Sequence, residues 1–160
     1  MKTKQLVLTA ILIATSFLGA YINFPGTTIA LDSMPAFFAA LMINPFIGLV
    51  VGVFGHFFTA LLRGFPMSLP VHLMIMLGMA ITMLAFGYTY KMLKATQKIK
   101  LAVATVVGVL FNAPVSLLLV SFIIGWGIFA MLPILLMGAF VNIFIAIILF
   151  QLLKGRVKID

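Results

Sequence analysis

Asp32, His56, Arg63, His72, Asn112 and Asn142 stand out in a chain that is otherwise overwhelmingly apolar. Polar groups within an apolar span are costly, so each is expected to face a neighbouring helix or a cavity. His56 belongs to the series Gly48, Gly52, His56, Thr59, Arg63. Steps of three and four residues put that series on one face of a helix. The glycines let a neighbour pack closely at one end, and the face turns polar towards Arg63, about 10 Å beyond His56 at 1.5 Å per residue. Contact with a ligand and a hydrogen bond to a neighbouring helix explain His56 equally well. His72 follows Pro70 at the start of a later helix and is expected near the same outer end. Two histidines without cysteine or a deep carboxylate make a poor metal site, so no metal and no cofactor are expected. Hydrogen bonding to a ligand is the more economical role.

Asn112 and Ser116 share a face beside helix-bending Pro114. Asn142 is best explained as an interhelical hydrogen-bonding residue. Asp32-Ser33 ahead of Met34-Pro35 reads as a helix N-cap, with a substrate contact or an ion pair to Arg63 as alternatives. Tyr21, Phe24, Phe65, Trp126 and Phe129 flank the spans as an interfacial belt would, and such rings are also surfaces on which a flat ligand can stack.

The elements that must position these groups are membrane helices. The chain has 160 residues, 65% hydrophobic and 8% charged, against roughly half and a quarter in a soluble domain. Lipid is therefore the main solvent. The net charge of +8 reflects orientation in the membrane rather than nucleic-acid binding. The apolar runs predict a single membrane domain over 1–160, with helices over 5–22, 33–43, 46–62, 71–90, 101–124 and 130–153. The second is too short to cross alone. The first run follows a lysine-containing start but is long enough to span and lacks a good cleavage site, so it is read as a retained helix.

Lys2 and Lys4, then Lys91, Lys94, Lys98 and Lys100, then Lys154, Arg156 and Lys158 fall on one side only if the number of crossings is even. The positive-inside rule makes that side cytoplasmic and places both termini there. The fold expected is an all-α, polytopic bundle of six helices.

The absences narrow function. No P-loop is present, so the chain does not hydrolyse ATP. No mid-membrane carboxylate suggests ion-coupled symport. No catalytic serine motif or metal cluster marks an enzyme. A compact bundle with a polar pocket near its outer face remains, and it needs outside energy to concentrate a solute. A stand-alone small-solute facilitator is the alternative.

Ala10-Ile11-Leu12-Ile13-Ala14 on the first helix, together with the length and topology, resembles the substrate-binding S components of energy-coupling factor (ECF) vitamin transporters. The resemblance implies that Ala10 and Ala14 dock on a transmembrane coupling subunit, the T component, driven by two ABC ATPases in the cell membrane. Ala30-Leu31-Asp32-Ser33-Met34-Pro35-Ala36-Phe37, Gly55-His56 and Gly64-Phe65-Pro66 to Pro70-Val71-His72 look like S components assigned to alpha-ribazole, the lower-ligand nucleoside of cobalamin. That resemblance implies a pocket drawn from Asp32, His56, Arg63, His72, Asn112 and Trp126, gated by the first and third loops. Another neutral heterocyclic vitamin fits the same chemistry.

Overall fold

The structure is a computed structural model that describes residues 3–22 and 30–156. Phe24 to Thr28 of the expected first loop, and Lys2 and Lys158 of the basic groups, lie outside them. The described residues form six helices and no strand: α1 Thr3–Gly19, α2 Met34–Met42, α3 Pro45–Leu62, α4 Leu69–Met92, α5 Gln97–Ile124 and α6 Trp126–Leu153. The last four are long and apolar enough to cross a bilayer, and α1, at 17 residues, is at the lower limit.

Proline sets several starts. Pro45 and Pro70 stand in the first turns of α3 and α4, and Pro133 in the first α-helical turn of α6 after its 3-10 opening Trp126–Met131, positions where a missing N–H costs nothing. Asn44 N-caps α3 with its side-chain oxygen, which accepts from the Ile47 amide at 2.9 Å. The expected cap at Asp32-Ser33 is not made by a side chain, since Ser33 occupies the N-cap position without a capping hydrogen bond. Asn142, at the middle of α6, takes over that task. Its Oδ1 accepts from the Met34 amide at 2.8 Å, and its Nδ2 donates to Ala30 at 3.0 Å and to Gly138 at 2.9 Å. The start of α2 is thereby pinned at mid-depth in the bundle. From there α2 runs only about 14 Å, at 1.5 Å per residue, to the Asn44-Pro45 break.

α1 ends at Gly19, three residues short of the apolar run, because Ala20 to Ile22 close tight turns on Ser16 to Gly19. α5 begins four residues ahead of its apolar run, so Lys98 and Lys100 ride on a helix extending beyond the hydrocarbon. Its middle, Phe111–Val115, widens into a π-turn around Pro114. Proline has no N–H to offer the preceding turn, and the bulge absorbs its ring. The Ser116 hydroxyl donates to the Phe111 carbonyl at 3.1 Å there.

Close approach of small residues sets the packing. A Cβ on Gly48 would collide with Ala40 of α2, and one on Gly55 with Ser16 of α1. Phe37, Met83, Phe86 and Ile143 are fully buried in the core between α2, α4 and α6, with Phe37 and Phe86 edge to face. Gly87 near the end of α4 touches Pro45 at the start of α3. The Lys154 ammonium donates to Gln97 Oε1 at 2.6 Å, and the Arg63 Nη2 donates to Ala20 O at 2.8 Å. These contacts put Lys4, Lys91 to Lys100, Lys154 and Arg156 at one end of the bundle and Arg63 at the other, as an even number of crossings requires.

Candidate functional site

The Arg63 end of the bundle holds a partly open cavity of about 200 Å³. A hole for one water needs only about 15 Å³, so this space has the scale of an organic ligand. Its position follows from the shortness of α2. Ala30, Asp32 and Ser33, just ahead of that helix, form the floor. His56, Thr59 and Arg63 of α3 form one wall, and His72, Ile75 and Met79 of α4 the next. Asn112, Ser116 and Leu117 come from α5 around its π-turn, and Leu135, Gly138 and Ala139 from α6. Pro66 and Met67 of the α3–α4 loop, with Ile128 and Met131, close the outer side.

The face of α3 divides as its spacing predicts. Gly48 and Gly52 meet Ala36, Ala40 and Met83 in the core, and His56, Thr59 and Arg63 face the cavity. His56 Nε2 lies 3.0 Å from His72 Nδ1, and His72 Nε2 lies 2.8 Å from the Pro66 carbonyl. Asp32 Oδ2 stands 4.0 Å from His56 Nδ1, with the two side chains 18% and 14% exposed. Phe65 packs edge-on against His72. The α3–α4 loop is strained: Phe65, Met67 and Ser68 all have positive φ, of 51°, 68° and 118°. Each such residue costs on the order of 1–3 kcal/mol, held here by tertiary contacts that include the His72 bond to Pro66.

Asp32 lies in the segment before α2, outside the spanning helices. Burial pushes its carboxyl from 3.8 up to about 6. Hydrogen bonds to its own amide and to Thr59, the charge of Arg63, and the Ser33 amide each pull it back down. The cavity wall therefore holds one carboxyl that is neutral in mild acid and one permanent cation. The Asn112 amide makes a weak 3.3 Å contact to Met79 Sδ.

Five of the six residues expected at a site, Asp32, His56, Arg63, His72 and Asn112, surround this one cavity. Trp126 does not. It is 70% exposed in the opening turn of α6 and stacks on Phe129. Tyr21, Phe65 and Phe129 are likewise absent from the lining, and Phe24 lies outside the described residues. The apolar surface offered to a flat ligand comes instead from Met67, Met79 and Met131, whose thioethers pack well against rings. The spacing argument missed these three residues. Eleven methionines in so short a chain were the available signal. Asn142 is 2% exposed, and its bonds to Ala30, Met34 and Gly138 are structural. Ala10 and Ala14 are exposed on the outer face of α1. Asp32 brings the two histidines the carboxylate that the sequence did not place beside them, yet among the described residues no group of three or more histidine, cysteine, aspartate or glutamate side chains is arranged to hold a metal ion.

No curated protein and no solved structure matches the chain. A family model does, that of the ECF transporter, substrate-specific component, over residues 4–159. The match takes in all six helices, save Thr3 at the start of α1, and every residue of the cavity. That family consists of transporter components rather than enzymes, and its members work in the membrane with a T component and ATPases. The chain belongs to the substrate-specific components of ECF transporters, as a membrane-embedded subunit that binds the substrate.

Proposed function

We propose that the cavity at the Arg63 end is the substrate site, that it opens outward, and that its cargo is alpha-ribazole, a flat dimethylbenzimidazole carrying a ribose. The convergence of Asp32, His56, Arg63, His72 and Asn112 on one cavity is the observation that carries this reading. One carboxyl and one guanidinium give the walls little net charge, which favours a neutral cargo over a strongly cationic one. Methionine thioethers suit the faces of a fused ring, and the amide, imidazole and hydroxyl groups suit its sugar. The strained α3–α4 loop, with Pro66 and Met67 over the cavity, acts as the gate. Ala10 and Ala14 form the coupling surface. They are small, adjacent on one helix face and free of internal packing, which suits close docking of a second helix in lipid. The plasma membrane is the natural location of such an importer.

The test is to identify, by mass spectrometry, the small molecule that copurifies with the detergent-solubilised protein. Alpha-ribazole is the expected result. A cationic vitamin in its place would overturn the cargo assignment and leave the family untouched.

A further inference from the structure

The hydrogen-bond chain through the two histidines has a direction that the geometry fixes. The Pro66 carbonyl can only accept, so His72 Nε2 at 2.8 Å is the donor. A neutral His72 with its proton on Nε2 offers Nδ1 as an acceptor. His56 Nε2, 3.0 Å away, must therefore donate to it. The proton of a neutral His56 is then committed to Nε2, and Nδ1 presents a lone pair. Asp32 Oδ2 lies 4.0 Å from that lone pair, too far for a hydrogen bond between the two. Both atoms belong to residues of the cavity wall. The wall thus carries two acceptors side by side, one on a carboxyl and one on an imidazole.

The charged and titratable groups around this pair are few. Arg63 stands on the same helix as His56, and His72 comes from α4. α5 and α6 contribute only uncharged lining residues such as Asn112, Ser116 and Leu135. Arg63 disfavours a cationic donor between the acceptors, and Asp32 disfavours an anion. What fits is a neutral group with two hydrogens to give in neighbouring positions. Hydroxyls on adjacent carbons, each donating over about 2.8 Å, reach two acceptors at this spacing together.

We propose that Asp32 and His56 form a two-acceptor clamp for a vicinal diol, so that the cargo of this subunit is a neutral compound bearing a ribose or similar polyol. The clamp rests on the reading of the cavity as the substrate site. His72 is its positioning residue, because its Nδ1 keeps the His56 proton on Nε2.

The experiment is titration calorimetry on the full chain in nanodiscs at pH 7.5. The probes are alpha-ribazole, adenosine and uridine, each paired with its 2′-deoxy counterpart. At least one diol compound is expected to bind, with its deoxy partner about tenfold weaker, the scale of one lost hydrogen bond. In His56→Phe, which keeps a ring in place, the preference should fall to twofold or less. His72→Leu should lower it in the same way. His72→Gln supplies both an acceptor for His56 and a donor for Pro66, so it should restore the preference.

Equal binding of a diol and its deoxy partner would overturn the clamp and leave the cavity as the substrate site. A preference that survives in His56→Phe would also overturn it. If adenosine or uridine binds with the diol preference and alpha-ribazole does not, the clamp stands and the cargo assignment falls. If no diol compound binds, the clamp is wrong.

Discussion

A carboxyl buried in a cavity wall is charged in the unfolded chain at a lower pH than in the native one. Asp32 titrates near 3.8 when exposed and at about 6 in place, chiefly because burial strips its hydration. Between about pH 4 and pH 6 the native protein keeps a proton that the unfolded chain has released. Stability from this group therefore falls as pH rises through that window and is level above it. The expected outcome is that Asp32→Asn gains thermal stability on the parent protein as pH is raised from 4 to 7 in matched detergent buffers. A melting-temperature difference that stays constant over that range would contradict the raised carboxyl. Residue type alone exposed Asp32 as exceptional, since it is the only acidic residue besides the terminal Asp160. Its expected place at the pocket agrees with the cavity lining, whereas the capping reading failed, because Ser33-Met34-Pro35 looks like a cap and nothing local reveals that Asn142, 108 positions away, satisfies the Met34 amide.

That long bond governs how α2 is held. A nine-residue helix has few turns of its own and draws its stability from packing and from the anchoring of its ends. Replacing Asn142 with leucine leaves the Met34 N–H and the Ala30 carbonyl without their partner in an apolar interior. Each such orphan costs about 1–3 kcal/mol. Asn142→Leu is accordingly expected to lower the unfolding temperature clearly and to speed hydrogen exchange at the Met34 amide before the rest of α2. Unchanged exchange at Met34 would show that other contacts pin the helix. The helices themselves were legible as apolar runs bounded by prolines and lysines. Their ends were less so. Gln97 to Lys100 are polar yet helical, and Ala20 to Ile22 are apolar yet turned, because helix ends follow backbone bonding and lipid depth rather than side-chain type alone. The π-turn at Pro114 was foreseeable as a bend. The place of Asn112 at the cavity was expected as well; the π-turn itself was not, since nothing local distinguishes a bend from a turn widened by an extra residue, which shifts every later side chain around the helix axis.

The two surfaces proposed for binding and for coupling do not overlap. The cavity lies among α3, α4, α5 and α6 at the Arg63 end, and the exposed alanines lie on the outside of α1. Replacing Ala10 and Ala14 together with leucine should therefore leave ligand affinity within about twofold while uptake by cells carrying the T component and ATPases drops to background. Binding by calorimetry and uptake of labelled ligand separate the two effects. Full uptake in the double variant would remove these alanines from the coupling surface. Membrane class, the orientation of the charged ends and the family were all readable from the amino-acid sequence, because lipid imposes strict demands on composition and charge. The stacking role expected for aromatic rings was not borne by the cavity lining. Rings serve the water–lipid boundary equally well, and composition cannot separate the two uses.

One consequence of a second helix only half as long as its neighbours concerns depth. The half of the bundle nearer the lysines has six helices and is filled solid around Phe37, Met83 and Phe86. The other half has five and is hollow. With the cavity as the proposed substrate site, substitutions in the hollow half are expected to change what is carried, Met79 being the residue shared with the plug beneath it. Changes at Phe37, Met83 or Phe86 are expected to act on packing and rigidity rather than on the choice of cargo. A scaffold divided in this way can exchange one passenger for another through a handful of replacements at a single level of the membrane.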